Sequence, residues 1–101
     1  MDKTPTPAKA LTVSILSAEG KVFEGEAKAL SSTNDIGPFD VLPMHSNFIS
    51  IIKDKVVIHL ANGQEKEFKI DSAILKAAEN KIQVFLGIEA FASQIEGLAK
   101  L

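Results

Sequence analysis

Short segments in which apolar and polar residues alternate predict that the chain is all-β. Leu11, Val13 and Ile15 would lie on one face of a first strand, because successive side chains of a strand point to opposite faces. Further segments with strand character are found at residues 22–23, 27–31, 39–42, 48–52, 56–60, 65–70, 73–78 and 81–86. About ten short antiparallel strands joined by hairpin turns are typical of a β-sandwich.

Turn-forming residues separate these strands. Asn62-Gly63 is the strongest hairpin signal and predicts a type I′ turn. Polar residues at Lys53–Lys55 and Asp71-Ser72 predict a turn and a short break, and Glu79-Asn80 predicts the last hairpin turn. Gly25 suggests a bulge or kink in the second strand.

One segment is ambiguous between helix and strand. The alanines, leucine and lysine of Ala73–Glu79 also favour a helix. The strand predicted for Ile82–Leu86 needs an antiparallel neighbour, however, and this requirement favours a strand.

The two ends of the chain differ from its middle. Residues 1–10 contain Pro5 and Pro7 among small polar residues and are predicted to be a disordered extension. In residues 88–101 apolar positions recur every three or four residues, which predicts one short amphipathic helix capping the sandwich. The sandwich domain is therefore predicted at residues 11–87.

The least regular part of the middle region is Gly37–Phe48, which we name the proline corner. Gly37 permits a positive φ, and Pro38 and Pro43 each fix φ and lack an N–H group. The segment predicts a short edge strand that enters a rigid turn. Stiff irregular backbone on a β scaffold often carries a binding surface.

Two motifs in this region carry a resemblance to a known family. The corner sequence Gly37-Pro38-Phe39-Asp40-Val41-Leu42-Pro43-Met44-His45 resembles a corner of the epsilon subunit of F-type ATP synthases, which is called delta in mitochondria. Upstream, Ser17–Ala27 is similar to the opening hairpin of that family, where Ser17, Glu19, Phe23 and Gly25 match. The resemblance covers about Leu11 to Leu86 and implies a flattened sandwich of two five-stranded sheets.

The chain departs from the family pattern at four places. Met44 replaces the glycine before the corner histidine, and Asp40 replaces a glycine that follows the apolar residue. Pro38 replaces a residue that is often polar or acidic, and Ser72-Ala73 stands where Gly-Gly is usual. These departures change residues that the resemblance would place in contact with a partner subunit.

The resemblance implies a non-catalytic subunit of the central stalk of a proton-translocating rotary ATP synthase. Its partners would be the gamma subunit and the ring of c subunits, and it would be peripheral to the bacterial inner membrane on the cytoplasmic face, or in the equivalent organellar compartment. Residues 88–101 leave room for one short helix, so we expect the family's inhibitory and ATP-sensing helical hairpin to be absent. The alternative is a free-standing β-sandwich adaptor, a divergent paralogue that docks on another protein.

Composition narrows the function classes. The formal net charge is −2, all 11 basic residues are lysine and there is no cysteine. A near-neutral chain without arginine lacks the basic stripe typical of nucleic-acid binding and any bidentate arginine clamp, and it cannot form a disulfide or a thiolate metal site. No glycine-rich phosphate loop is present, and we expect no cofactor, metal or small-molecule substrate.

Candidate catalytic residues are few. His45 and Asp40 would be an acid–base pair only if the fold brought them together with a substrate, and hydrogen bonding of His45 to the turn backbone is the favoured interpretation. His59 is expected to be a surface or half-buried strand residue. The candidate residues for a partner interface are Gly37, Pro38, Phe39, Leu42, Pro43 and His45.

Overall fold

The computed structural model describes residues 10–87, which form a single seven-stranded sheet. The strands are β1 (Leu11–Ser17), β2 (Gly20–Ala27), β3 (Ala29–Thr33), β4 (Pro38–Val41), β5 (Phe48–His59), β6 (Glu65–Ala78) and β7 (Lys81–Leu86). They pair in the order β2-β1-β7-β6-β5-β3-β4. The all-β prediction is confirmed. The predictions for residues 88–101, and for all but the last of residues 1–10, lie outside the described residues.

Two features of the predicted sheet need correction. The described residues form seven strands and not about ten, and β1 pairs with β7 in the parallel direction. The count falls because β5 and β6 have 12 and 14 residues, and each joins two segments that the sequence pattern separates. All the other strand pairs are antiparallel.

A bulge in the middle of β5 and β6 explains the missed continuity. Lys53 pairs with Ser72 and Asp54 pairs with Ile70, so Asp71 is an extra residue in β6. Asp54 has a φ of 73°, which aspartate tolerates better than most residues. The turn predicted at Lys53–Lys55 and the break predicted at Asp71-Ser72 are therefore wrong: the polar residues mark a bend within two continuous strands. Bulges bend strands and increase their twist.

The bent sheet folds back on itself, and aromatic pairs join strands that are not neighbours in the strand order. The Phe23 ring of β2 lies 5.8 Å from the Phe68 ring in the first half of β6. A second pair joins β4 and β5, where the Phe39 ring lies 6.2 Å from the Phe48 ring at the start of β5. The long strands thus contribute their two halves to two layers, which is the sandwich arrangement that the alternation predicts.

One hydrophobic core lies between the layers and draws residues from all seven strands. Its buried members are Leu11, Val13, Ile15, Ala27, Leu30, Val41, Ile52, Val56, Ile58, Ala73, Leu75, Ala77, Ile82 and Val84. Each fully buried large aliphatic side chain contributes about 1.5–3 kcal/mol relative to an exposed one. The buried Ser32 donates its hydroxyl hydrogen to the Lys55 carbonyl at 2.7 Å, close to a register shift between β3 and β5.

The type I′ geometry predicted for the Asn62-Gly63 turn is found instead at the Glu79-Asn80 turn, for which no turn type was predicted. At Asn62-Gly63 only Gly63 has a positive φ, 92°, and the Leu60 N–H donates to the Gln64 carbonyl. This is a three-residue loop and not a type I′ turn. At the β6–β7 turn both Glu79 and Asn80 have positive φ, 52° and 64°, as a type I′ turn requires. The strand preference for Ala73–Ala78 is confirmed.

Candidate functional site

A hydrogen-bonded turn between β3 and β4 leads into the proline corner. Asn34 and Gly37 exchange two backbone hydrogen bonds of 3.1 Å, and Gly37 has a φ of 145° that other residues rarely adopt. Pro38 follows as the first residue of β4 and lies opposite Thr33. Because β4 is the last strand of the sheet, a proline without an N–H group is tolerated there.

A tight turn follows β4 at residues Leu42 to His45. The His45 N–H donates to the Leu42 carbonyl at 3.1 Å, and Met44 has a φ of 70°. For a residue with a side chain this left-handed conformation costs roughly 1–2 kcal/mol. The corner is therefore a defined turn with backbone strain at Met44.

Hydrogen bonds pin this turn to the β6–β7 turn, more than thirty residues further along the chain. The Met44 N–H donates to Asn80 Oδ1 at 2.6 Å, and the Glu79 N–H donates to Asn47 Oδ1 at 3.0 Å. Asn80 is fixed to the sandwich in turn, because its carbonyl accepts the Thr12 N–H at 2.9 Å. The corner and the β6–β7 turn thus form one continuous surface at one end of the sandwich.

The His45 ring takes part in the shape of the corner. Its Nδ1 lies 3.1 Å from the Ser46 carbonyl oxygen, and the ring centroid lies 5.2 Å from that of Phe48. Asp40 instead accepts a hydrogen bond from Ser31 at 2.6 Å. The structure therefore does not bring Asp40 and His45 together as an acid–base pair, and the interpretation of His45 as a turn-stabilising residue agrees with the geometry.

Exposed apolar side chains concentrate in and beside the corner. Leu42 is 53% exposed, Met44 69% and Ile36 96%, and Ile49 and Ile51 also face solvent. The run Val41–Ile52 contains no Asp, Glu, Lys or Arg. Several exposed apolar residues in and beside a segment without charged side chains are typical of a surface that another protein covers. Charged residues border this surface, because the exposed Lys76 lies opposite Ile49 in β6.

The predicted interface residues occupy different environments in this region. Leu42, Pro38 and His45 are exposed, Gly37 and Pro43 are half-buried, and the half-buried Phe39 ring packs against the core. Four exposed apolar residues were not among the candidates: Ile36, Met44, Ile49 and Ile51. For Ile49 and Ile51 the sequence contained a signal, because alternation places both opposite Ile52.

A second polar cluster crosses the outer face of β4, β3, β5 and β6. Ser31 Oγ lies 2.6 Å from Asp40 Oδ1 and 2.8 Å from His59 Nε2, and His59 Nδ1 lies 3.0 Å from Glu65 Oε2. The half-buried position predicted for His59 is confirmed. We name Asp40, Ser31, His59 and Glu65 the polar ladder.

The polar ladder resembles the residue set of a serine hydrolase but lacks its chemistry. Ser31 has one hydroxyl hydrogen, and the carboxylate of Asp40 can only accept it, so Ser31 is not poised to transfer a proton to His59. Its backbone is paired with Asp40 in β4 and with Val57 in β5. A serine within a paired strand offers no oxyanion hole of the kind that acyl transfer needs. The ladder therefore joins four strands, and its geometry differs from that of a serine hydrolase.

Replacing Ser31 with alanine is expected to lower the free energy of unfolding by about 1–3 kcal/mol, since two hydrogen bonds in the ladder are lost and one involves a carboxylate. Urea unfolding measures this change. Ser14→Ala is the matched control: Ser14 is a half-buried strand serine for which the described residues show no side-chain hydrogen bond. Equal effects of the two substitutions, or ester hydrolysis that depends on Ser31 and His59, would contradict this assignment.

The described residues contain no group of three or more His, Asp or Glu side chains placed to hold a metal ion. Within the same part of the chain, no helix has the length and apolar character needed to cross a membrane.

A family profile and individual relatives indicate the same protein family. The sequence profile of the ATP synthase delta/epsilon chain beta-sandwich domain matches residues 10–87. The ATP synthase epsilon chain of Xanthomonas oryzae pv. oryzae (strain MAFF 311018) is 33% identical over 86 residues, which cover 84% of this chain and 61% of that protein. The epsilon chain of Xanthomonas campestris pv. campestris (strain B100) is 31% identical over the same shares. This chain thus spans about 61% of the length of these relatives.

Solved structures share the fold at low sequence identity. A chain of the Euglena gracilis mitochondrial ATP synthase superimposes with a TM-score of 0.74 at 9% identity, over 94% of this chain and 67% of that chain. A chain of the Tetrahymena thermophila mitochondrial ATP synthase central stalk and c-ring gives 0.62 at 6% identity, over 75% and 62%.

Proposed function

Because this chain belongs to the ATP synthase delta/epsilon chain family, we propose that it is a non-catalytic subunit of the central stalk of a proton-translocating ATP synthase. In this role it links the gamma subunit to the c-ring and transmits rotation without making or breaking bonds. Its place is then peripheral to the membrane that holds the c-ring, on the cytoplasmic face in a bacterium or in the equivalent organellar compartment.

The single observation that carries the proposal is the proline corner as a pre-formed and partly apolar surface, whose part from Val41 to Phe48 carries no Asp, Glu, Lys or Arg. Its backbone is held by the Leu42–His45 turn and by the Asn80 and Asn47 bonds, so little conformational entropy is lost when a partner covers it. Leu42 offers an exposed apolar side chain at its tip. We propose Gly37, Pro38, Phe39, Leu42, Pro43 and His45 as the interface, with Gly37 and the prolines shaping it.

The proposal is tested by calorimetric titration of the purified chain into a gamma–c-ring assembly from the same organism. We expect binding at micromolar concentrations or tighter. A chain that folds but does not bind under these conditions would remove the stalk function and leave the adaptor alternative. A pull-down from native membranes, compared with one from the soluble fraction, then identifies the partner that it does bind.

A further inference from the structure

We propose that the Met44 side chain inserts into an apolar pocket of the partner protein, and that Asn80 is a positioning residue that presents it. This inference rests on the proposed function and names the residues by which the corner would engage its partner. Neither residue was among the interface candidates predicted from the sequence.

The conformation of Met44 is the first argument. Its φ of 70° lies in the left-handed region, which glycine adopts without strain. The side chain that causes this strain is 69% exposed and is not part of the hydrophobic core. Among residues 10–87, the side-chain contact shown for the Met44 thioether is with Asn80. The Met44 side chain therefore contributes little to the stability of the isolated sandwich, although its backbone is strained. Strain of this kind is found at functional sites, and contact with another molecule would account for it.

The Asn80 side-chain amide is the second argument, because it holds Met44 at two points. Its Oδ1 accepts the Met44 N–H at 2.6 Å, and its Nδ2 lies 3.9 Å from Met44 Sδ. Asn80 is half-buried, and its carbonyl is bonded to Thr12 of β1. The sandwich thus fixes Asn80, and Asn80 fixes both the backbone and the thioether of Met44.

The surroundings of Met44 define the chemistry of the pocket. The chain from Val41 to Ile52 carries no Asp, Glu, Lys or Arg, and Leu42 and Ile49 are exposed on either side of Met44. Exposed charged side chains border this segment, with Glu79 next to Asn80 and Lys76 opposite Ile49, but the segment itself offers a charged pocket no ionic partner. Thioether side chains fit irregular apolar and aromatic pockets well, so the partner site is an uncharged cleft lined by aliphatic or aromatic residues.

The test of Met44 is titration of the gamma–c-ring assembly with wild-type chain, Met44→Gly and Met44→Leu. Met44→Gly keeps a compatible backbone and removes the side chain, so we expect about tenfold weaker binding, in the range found for interface anchors, with an unchanged or higher midpoint of thermal unfolding. Met44→Leu keeps an apolar side chain of similar volume and should bind within about threefold of wild type.

The test of Asn80 separates positioning from turn formation. Asn80→Gly keeps the positive φ but removes the acceptor, and we expect it to accelerate hydrogen exchange at the Met44 amide at least about tenfold and to weaken binding about three- to tenfold. Asn80→Asp retains an acceptor oxygen and should restore slow exchange at the Met44 amide, although it loses the Nδ2 contact with Met44 Sδ. Glu79→Gly is the matched control, since it adds a glycine to the same turn without removing either bond to Met44.

The outcomes distinguish this inference from the proposed function. If wild type binds the assembly and Met44→Gly binds equally well, the inference is overturned and the stalk function stands. If Asn80→Gly changes neither exchange nor binding, Asn80 does not position Met44. If wild type does not bind the assembly, the proposed function fails, and this inference fails with it.

Discussion

Ile52→Ala is expected to lower the free energy of unfolding by about 2–5 kcal/mol, whereas Ile51→Ala should change it by less than about 1 kcal/mol. The two isoleucines are neighbours in β5 and differ only in the face of the sheet to which they point. Ile52 is 0% exposed and belongs to the core, and Ile51 is 58% exposed. Removing a buried side chain loses both its transfer free energy and its packing contacts.

Urea unfolding of the two variants measures this difference. The midpoint should fall for Ile52→Ala with an unchanged slope, because the surface exposed on unfolding stays nearly the same. Comparable losses for the two variants would mean that β5 is displaced by one residue, since a one-residue slip exchanges the two faces of a strand.

The sequence was sufficient for the strands themselves because alternation reports directly which side chains face the core. It was not sufficient for the path of β5 and β6 through the bulge. Lys53–Lys55 and Asp71 are polar and exposed, and Asp54 has a positive φ. A reversing turn needs the same properties, so local sequence cannot separate a bend between two layers from the end of a strand.

Local sequence patterns also could not predict that β1 pairs with β7 in the parallel direction. These strands are more than sixty residues apart, and neither contains a residue that selects the direction of its neighbour. Their adjacency follows from closure of the whole sheet, in which Val13 pairs with Ile82 and Ile15 with Val84. These four side chains belong to the same core, so burial of the complete set decides the arrangement.

Local sequence likewise predicted some features of the candidate site and not others. Gly37 and the prolines were recognised because each restricts its own backbone, which is a local property. The contact of Asn80 with Met44 was missed because the two residues are 36 positions apart, and in the sequence Asn80 indicates only a turn. The polar ladder was missed for the same reason, since Ser31 and His59 meet only after β3 and β5 have paired.

Substitution of Leu42 tests the corner surface, because its side chain can be changed without removing the bonds that hold the turn. It is exposed and follows the last residue of β4, and its carbonyl holds the turn through a bond that side-chain replacement leaves in place. Val22 is also an exposed apolar residue. It lies next to Lys21, which pairs with Leu16 at the opposite end of β1 from Thr12 and Asn80, and therefore serves as a matched control.

Leu42→Asp is expected to weaken binding to the gamma–c-ring assembly by more than about a hundredfold, because an unpaired carboxylate would be buried against an apolar partner surface. Leu42→Ala and His45→Ala should weaken it by about five- to thirtyfold, the first through lost contact and the second through a less ordered turn. Val22→Asp should bind like wild type, and circular dichroism should show the same β content for all four variants.

Titration calorimetry measures the affinities. Equal weakening by Leu42→Asp and Val22→Asp would indicate a non-specific effect of charge, and normal binding by Leu42→Asp and His45→Ala would place the partner interface elsewhere on the sandwich.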